Sequence, residues 1–410
     1  MRLVHLSDLH LGYRQYARHT SAGVNQREAD VAATCARAID LVVQRRPDLV
    51  LVGGDVFHSV RPPNAAILDA FRLFGRLRAA LPETPVVMIA GNHDVPRSSD
   101  AGCILQLFEE LGVHVVFRGP ERIDLPALDA AVLAVPFAPP GTTPSAREFA
   151  ADATRRWNIL LVHDEVAGVL PASAAAEGRV VAPLDPEHFG RAPWNYVALG
   201  HYHVYREVPV SRSGVRVPAY YSGSLDYTSS NPWADVREER QRYGTAPGEG
   251  KGFIEHDLAT GTHTFHRVPG ARRLLDLPRI DASGLSTSAL DDAIANALGA
   301  AGRAVDDAIV RLVITNASRH VVRTLDYTLL RDARRRALHF QLDARRPAVA
   351  ESTGTSAAGR RITLRDRLAE QLRARPLAPP LDRERLVTLG LGYLTRAEDA
   401  AAAALPVAEG

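Results

Sequence analysis

The stretch Val86-Val87-Met88-Ile89-Ala90-Gly91-Asn92-His93-Asp94 decides how the chain is read. The apolar run Val86 to Ala90 predicts a buried strand. Glycine then permits a sharp turn where the strand ends. An amide, an imidazole and a carboxylate follow, which suit a metal ligand, a proton donor and its orienting partner. Polar residues after a strand are ordinarily turn residues, so the tetrapeptide alone carries little. It gains force because four other predicted strand ends carry similar groups: Ser7-Asp8-Leu9-His10, Gly53-Gly54-Asp55, Val162-His163-Asp164 and Gly200-His201-Tyr202-His203.

Working outward, the short strands Leu3 to Leu6 and Asp48 to Val52 alternate with helical patterns. One pattern is Val31, Cys35, Ala38 and Val42, opened by a capping box of Asn25 and Glu28; the other is Ile67, Phe71, Phe74 and Leu77. This alternation argues for an α/β fold with a parallel sheet. In such sheets, sites form outside the carboxyl ends of the strands. Asp8, His10, Asp55, Asn92, His163, His201 and His203 are the expected metal ligands there. They are too many for one ion, so two ions ~3.5–4 Å apart are expected, with Asp55 bridging them. Mixed oxygen and nitrogen donors suit manganese, iron or zinc rather than magnesium alone. His93, held by Asp94, is expected to stabilise or protonate the reacting phosphate oxygens. His58, three residues past Asp55, is assigned to the substrate phosphate.

The chain has 410 residues, 46% of them hydrophobic, enough for two or three domains. A net charge of +2 does not announce a nucleic-acid binder. Lys251 is the only lysine, so the positive side chains are almost all Arg, which forks phosphate oxygens bidentately. Cys35 and Cys103 sit among apolar neighbours and read as buried free thiols. The chain shows no signal-peptide core and no run of ~20 apolar residues, so a soluble cytoplasmic protein with no membrane span is expected.

The loop Gly12 to Val24 carries Tyr13, Arg14, Tyr16 and Arg18. It reads either as a solvated loop or as a lip that grips a nucleic-acid backbone. Leu68 and Leu73, off the main helical stripe, read as a wider core or a homodimer seam. Residues 1–270 are assigned to the first domain, within which Tyr227 to Gly250 reads as a mobile loop. Residues 271–346 form a small α+β domain with one helix (Ser288 to Leu298) and one clear strand (Ala308 to Thr315). Its Arg334, Arg335 and Arg336 are a solvated face or a DNA contact. Residues 347–359 read as a linker, and 360–410 as a helical tail whose Leu364, Leu368 and Leu372 stripe would dock on a partner.

Asp-x-His, Gly-Gly-Asp, Gly-Asn-His-Asp, a strand-end His and Gly-His-x-His together resemble the calcineurin-like metallophosphoesterase superfamily, over Met1 to Val208. Within it, His10-Leu11-Gly12-Tyr13-Arg14-Gln15-Tyr16, Gly54-Asp55-Val56-Phe57-His58-Ser59 with Arg61-Pro62, Tyr221-Ser222-Gly223-Ser224 and Lys251-Gly252-Phe253 are similar to the SbcD family of DNA break-repair nucleases. The resemblance implies a two-layer β-sandwich flanked by helices, with a smaller capping domain. It implies one manganese held by Asp8, His10, Asp55 and His203, and another by Asp55, Asn92, His163 and His201. It further implies exonuclease action on DNA ends, endonuclease action on single strands or hairpins, a homodimer, and an SbcC-type coiled-coil ATPase bound by the C-terminal helices. DNA contacts would come from Tyr13, Arg14, Tyr16, Arg61 and the Arg334 to Arg336 cluster. His163 is followed by acidic Asp164 and Glu165 where the family more often has an amide or small residue, and Ser222 stands where proline is common. Two competing readings are another phosphoesterase of the superfamily, acting on cyclic nucleotides or phosphoproteins, and a non-catalytic DNA-tethering subunit.

Overall fold

The computed structural model describes residues 1–95, 102–138, 149–169, 184–186, 189, 192–346, 364–374 and 382–403. Met1–Pro347 form one compact unit and Ala348–Gly410 another. The expected linker 347–359 lies outside the described residues.

Two six-stranded sheets build the first unit. In the first sheet, Arg2–Leu6, Leu49–Val52, Val86–Ile89 and His114–Val116 run parallel. The antiparallel hairpin Gly252–Asp257 and His263–Arg267 extends it beside Arg2–Leu6. In the second, Ala130–Val135, Trp157–His163, Tyr196–Gly200 and Ala219–Tyr221 are parallel. Antiparallel edges Glu121–Leu125 and Arg206–Glu207 flank them.

Alternation along each strand explains the stacking. Leu3, Leu49, Leu51, Val87 and Ile89 face Val132, Ala134, Ile159, Leu161 and Ala198 in a core shared by the two sheets. The intervening Val4, Leu6, Val50, Val52 and Met88 pack beneath the helices Gln26–Arg45 and Asn64–Ala80. Both faces of these strands are therefore dry, which is why they read as unbroken apolar runs. The structure is thus the two-layer sandwich that the resemblance implied, and the parallel sheet argued from chain order is part of two mixed sheets. Antiparallel edge strands are not visible in strand–helix alternation.

Two local expectations also change. Asn25 caps the first helix by accepting from the Arg27 amide, but Glu28 turns to Arg14, 2.7 Å away, instead of closing a capping box. Tyr227 to Gly250 contains the helix Pro232–Tyr243, with proline in its first turn. Its polar residues hid the buried Trp233 and Val236, which pack with Leu274, Ile309 and Leu338.

From Leu274 to Ala344 the chain forms a third sheet. Its central strand, Ile309–Thr315, pairs parallel with Leu274–Asp276, Ile280–Asp281 and His339–Ala344. The helices Thr287–Ala301 and Tyr327–Arg336 cover it through Leu290, Ile294 and Leu330. The sequence showed only one of these helices and one strand, since the remaining strands are short or partly polar. In the second unit, Leu364–Ala374 and Arg383–Ala403 pack as an antiparallel pair, with Arg365 on Thr395 and Arg373 on Glu384. Among the described residues no helix is long and apolar enough to cross a membrane.

A buried ion-pair network ties the first helix to the turn after Ala219–Tyr221. Arg27 lies 2.8 Å from Asp226, whose other oxygen accepts from Thr34 at 2.7 Å. Burial works against the Asp226 carboxylate, but Arg27, Thr34 and the Tyr227 amide hold its pKa below the ordinary 3.8. Removing one partner of a buried pair leaves an uncompensated charge. Asp226→Ala is therefore expected to cost about 3–5 kcal/mol in urea denaturation at neutral pH. Because the native pKa is depressed, this contribution is complete above the ordinary carboxylate pKa and is lost on acidification. The gap between wild type and variant should close as pH falls below that point.

Candidate metal centre

Five strand ends converge at one rim of the sandwich. The turn after Arg2–Leu6 is stitched to the turn after Leu49–Val52 by the Asp8 amide on the Gly54 carbonyl and the His10 amide on the Asp55 carbonyl, at 3.0 and 2.9 Å. Asp8, His10, Asp55 and His201 all hold positive φ, at 53°, 48°, 49° and 102°. Left-handed backbone at non-glycine residues costs energy and persists where the surroundings over-determine it. Glycine is required at Gly91, where a Cβ would run into Asp55 Oδ1, and at Gly200, where it would meet the Gly53 carbonyl. These close approaches bring the side chains together.

Two ligand groups result. In one, His10 Nε2 lies 3.0 Å from His203 Nε2 and 3.7 Å from Asp55 Oδ2, and His203 Nε2 lies 3.9 Å from Asp8 Oδ1. In the other, Asn92 Oδ1 lies 3.1 Å from His163 Nε2 and 3.0 Å from His201 Nδ1, and His163 Nε2 lies 3.6 Å from Asp55 Oδ1. Asp55 thus stands between the groups, with one oxygen toward each. His163 Nδ1 is 2.6 Å from the Gly53 carbonyl. A carbonyl only accepts, so Nδ1 carries the proton and Nε2 presents its lone pair, as metal-binding imidazoles require.

The electrostatics agree with the donor set. Burial pushes the Asp8 and Asp55 carboxyls up to about 6, against the pull of His163 and His93 respectively. Burial, reinforced by neighbouring cationic groups, holds His10 and His203 well below the usual imidazole range. Neutral imidazoles beside desolvated carboxylates fit divalent cations, whose charge offsets the cost of burying the carboxylates.

His58 and His93 stack at the edge of this cluster, ring centroids 5.2 Å apart. His93 Nδ1 lies 2.8 Å from the His58 carbonyl, which only accepts, so Nδ1 carries a proton and Nε2 is the nitrogen left to face a substrate. His58 Nδ1 lies 3.3 Å from His10 Nδ1, and burial, with His93, pushes His58 down to about 4. Asp94 does not orient His93, contrary to expectation. Its carboxylate accepts from the amides of Val56, Phe57 and Gly91 at 3.0–3.2 Å, clamping two strand-end turns together. A side chain adjacent to His93 in sequence faces the other way at this turn, toward unsatisfied amides.

The expected DNA-contact residues do not form one group. Tyr13 is buried, its hydroxyl donating to the Ser229 carbonyl and its ring edge-on to His58. Tyr16 stacks on His339 at 4.0 Å, and Arg14 pairs with Glu28. Arg61 is exposed. Arg335 and Arg336 pair with Asp332 and Asp306, while Arg334 is exposed on the same helix. Cys35 and Cys103 are buried free thiols.

The sequence reading assigned no role to Ser7, Ser222 or Lys251, which support the site. Ser7 Oγ reaches Asp8 Oδ2 at 2.5 Å and Ser222 Oγ at 2.8 Å, so Ser222 braces a ligand where proline would have no hydroxyl. Lys251 Nζ donates to the His203 carbonyl at 2.7 Å. Its uniqueness in the composition was the available signal. Asp164 accepts from the Glu165 amide at 2.7 Å, leaving the His163 turn intact.

The chain is similar to DNA double-strand break repair protein Mre11 of Methanococcus maripaludis, 29% identical over 265 residues and 63% of each chain. The protein of the same name from Methanocaldococcus jannaschii is 26% identical over 268 residues, again 63% of each. An SbcCD nuclease component of Rhodobacter capsulatus is 31% identical over 55% of this chain and 62% of its own. The match thus spans a little under two thirds of these relatives' own length. The calcineurin-like phosphoesterase profile matches residues 1–205, half of the 410-residue chain and the part that carries all seven expected ligand residues, and the chain belongs to that family.

Proposed function

We propose that this chain is a DNA nuclease of the SbcD type, hydrolysing phosphodiester bonds at a pair of manganese ions. The observation that carries the reading is Asp55, buried between two sets of nitrogen and oxygen donors with an oxygen toward each. Asp8, His10, Asp55 and His203 would hold one ion; Asp55, Asn92, His163 and His201 the other. When bound, such a pair acidifies a water and offsets charge on the phosphate oxygens.

The chain's own residues supply the rest. His93, its Nδ1 proton engaged by the His58 carbonyl, presents Nε2 to the scissile phosphate; as the doubly protonated imidazolium it gives the Nε2 proton to the departing oxygen and is left neutral. His58 stands beside it and orients the phosphate. The relatives' names, for DNA double-strand break repair and for an SbcCD nuclease, support action on DNA; exonuclease action on duplex ends, endonuclease action on single strands and hairpins, and work with an SbcC-type ATPase in the cytoplasm, at the nucleoid, complete the proposal. The helical pair beyond residue 360 is assigned to that ATPase. The helices Gln26–Arg45 and Asn64–Ala80, with Leu68 53% exposed, are assigned to a homodimer.

With end-labelled duplex DNA and manganese, wild type should release nucleotides. His93→Ala should retain metal and DNA binding while cleavage falls about 10²–10⁴-fold, the range for a lost proton-transfer group. Metal loss in that variant would sink the assignment. Deleting residues 360–410 should spare cleavage and abolish co-purification with an SbcC-type ATPase; undiminished binding would remove the tail's assignment.

A further inference from the structure

We propose that Lys251 is a positioning residue for the metal ion held by His203; this rests on the two-ion reading above. Lys251 is the only lysine in the chain and is 2% exposed. Burying an ammonium is expensive unless it is paired and hydrogen-bonded. Here two carboxylates offset the charge: Asp235 accepts from Nζ at 3.0 Å, Glu239 forms an ion pair with it at 3.1 Å, and the Tyr227 ring centroid lies 4.6 Å away. Glu239 is itself held by the Tyr227 hydroxyl at 2.6 Å. With its charge compensated, the ammonium directs a further donor to the His203 carbonyl at 2.7 Å.

That carbonyl belongs to the ligand whose Nε2 lies 3.0 Å from His10 Nε2. Ser224 also reaches it, through its amide at 3.1 Å and its hydroxyl at 3.3 Å. Lys251 immediately precedes the strand Gly252–Asp257, which pairs with the strand that leads to Asp8 and His10. The lysine therefore ties the His203 turn, from the second sheet, to the part of the first sheet that carries the other ligands of the same ion. The second group, Asn92, His163 and His201, makes no contact with Lys251 in the described hydrogen bonds and ion pairs.

This placement gives an asymmetric expectation. Loss of an outer-shell partner typically weakens metal affinity 10–100-fold. In a manganese titration followed by electron paramagnetic resonance of the free ion, wild type should show two binding steps. Lys251→Met should weaken one step by at least about tenfold and leave the other near wild type. A purely structural lysine would instead lower thermal stability and leave the metal affinities of the folded protein unchanged. Should Lys251→Met fail to fold because two carboxylates lose their counter-ion, the triple variant K251M/D235N/E239Q restores charge balance, and the same one-step loss is expected. Two unaltered steps in a folded variant overturn the assignment of Lys251, whereas a wild type that binds no second manganese overturns the two-ion reading beneath it. The lone lysine supplies a further check. Acetic anhydride should modify Lys251 readily in denatured protein and at least about 100-fold more slowly in the native chain, and equal rates overturn the buried network.

Discussion

The structure depends on one unfavourable act, the burial of Asp8 and Asp55 side by side at the rim of a β-sandwich. Among the described residues neither carboxylate has an arginine or lysine against it, and burial pushes both up to about 6. In most proteins an isolated buried carboxylate would be replaced or paired. Here the surrounding groups are imidazoles and an amide oxygen, and burial holds two of those imidazoles, His10 and His203, well below the usual range. A divalent cation among these donors would offset the cost of burying the two carboxylates. The left-handed backbone at Asp8, His10, Asp55 and His201 belongs to the same compromise: conformational strain is accepted where it brings donors together.

The grouping of Asp8, His10, Asp55, Asn92, His163, His201 and His203 was legible in the sequence because these residues sit on strand ends, and strand ends can be found from apolar runs followed by glycine. Val86 to Ala90 and Gly91-Asn92-His93-Asp94 are the clearest case, and the structure brings Asn92 to within 3.1 Å of both His163 and His201. What failed was inference from neighbourhood in sequence. Asp94 follows His93 yet braces three backbone amides, since at a tight turn the nearest unsatisfied groups are main-chain N–H. The helix Pro232–Tyr243 was hidden for another reason. Its polar residues outnumber its apolar ones, and its buried Glu239 looks exposed by residue type until Lys251 is seen beside it.

The arginines show the same limit. A sequence with one lysine and many arginines invites a phosphate-binding reading, but several arginines near the first unit's helices are engaged inward. Arg27 is fully buried against Asp226, Arg272 forks Asp30 at 2.7 and 2.8 Å, and Arg18 donates to the carbonyls that end the helix Tyr327–Arg336. Arg18 and Tyr16 thereby fasten the loop after His10 to the third sheet. The loop read as a lip for nucleic acid is a clasp within the first unit, and any DNA contact it makes is made from that fixed position.

Buried ion pairs seldom add net stability over apolar residues of the same shape, because desolvation cancels what attraction contributes. Their concentration around one turn therefore calls for a reason other than stability. Asp226 and Ser224 lie in the turn after Ala219–Tyr221; Ser222 in the same turn reaches Ser7 and through it Asp8, and Ser224 reaches the His203 carbonyl. Arg27 grips that turn from the first helix, while Lys251 grips the adjoining His203 turn from the first sheet. Apolar contacts tolerate small sliding, whereas a buried hydrogen-bonded charge has few positions in which its partners are satisfied. Two such anchors on opposite sides fix the register between the sheets at the one rim where a small displacement would separate the donors of Asp8, His10 and His203. The polar network is best understood as the device that converts a sandwich of two sliding layers into a single rigid ligand frame.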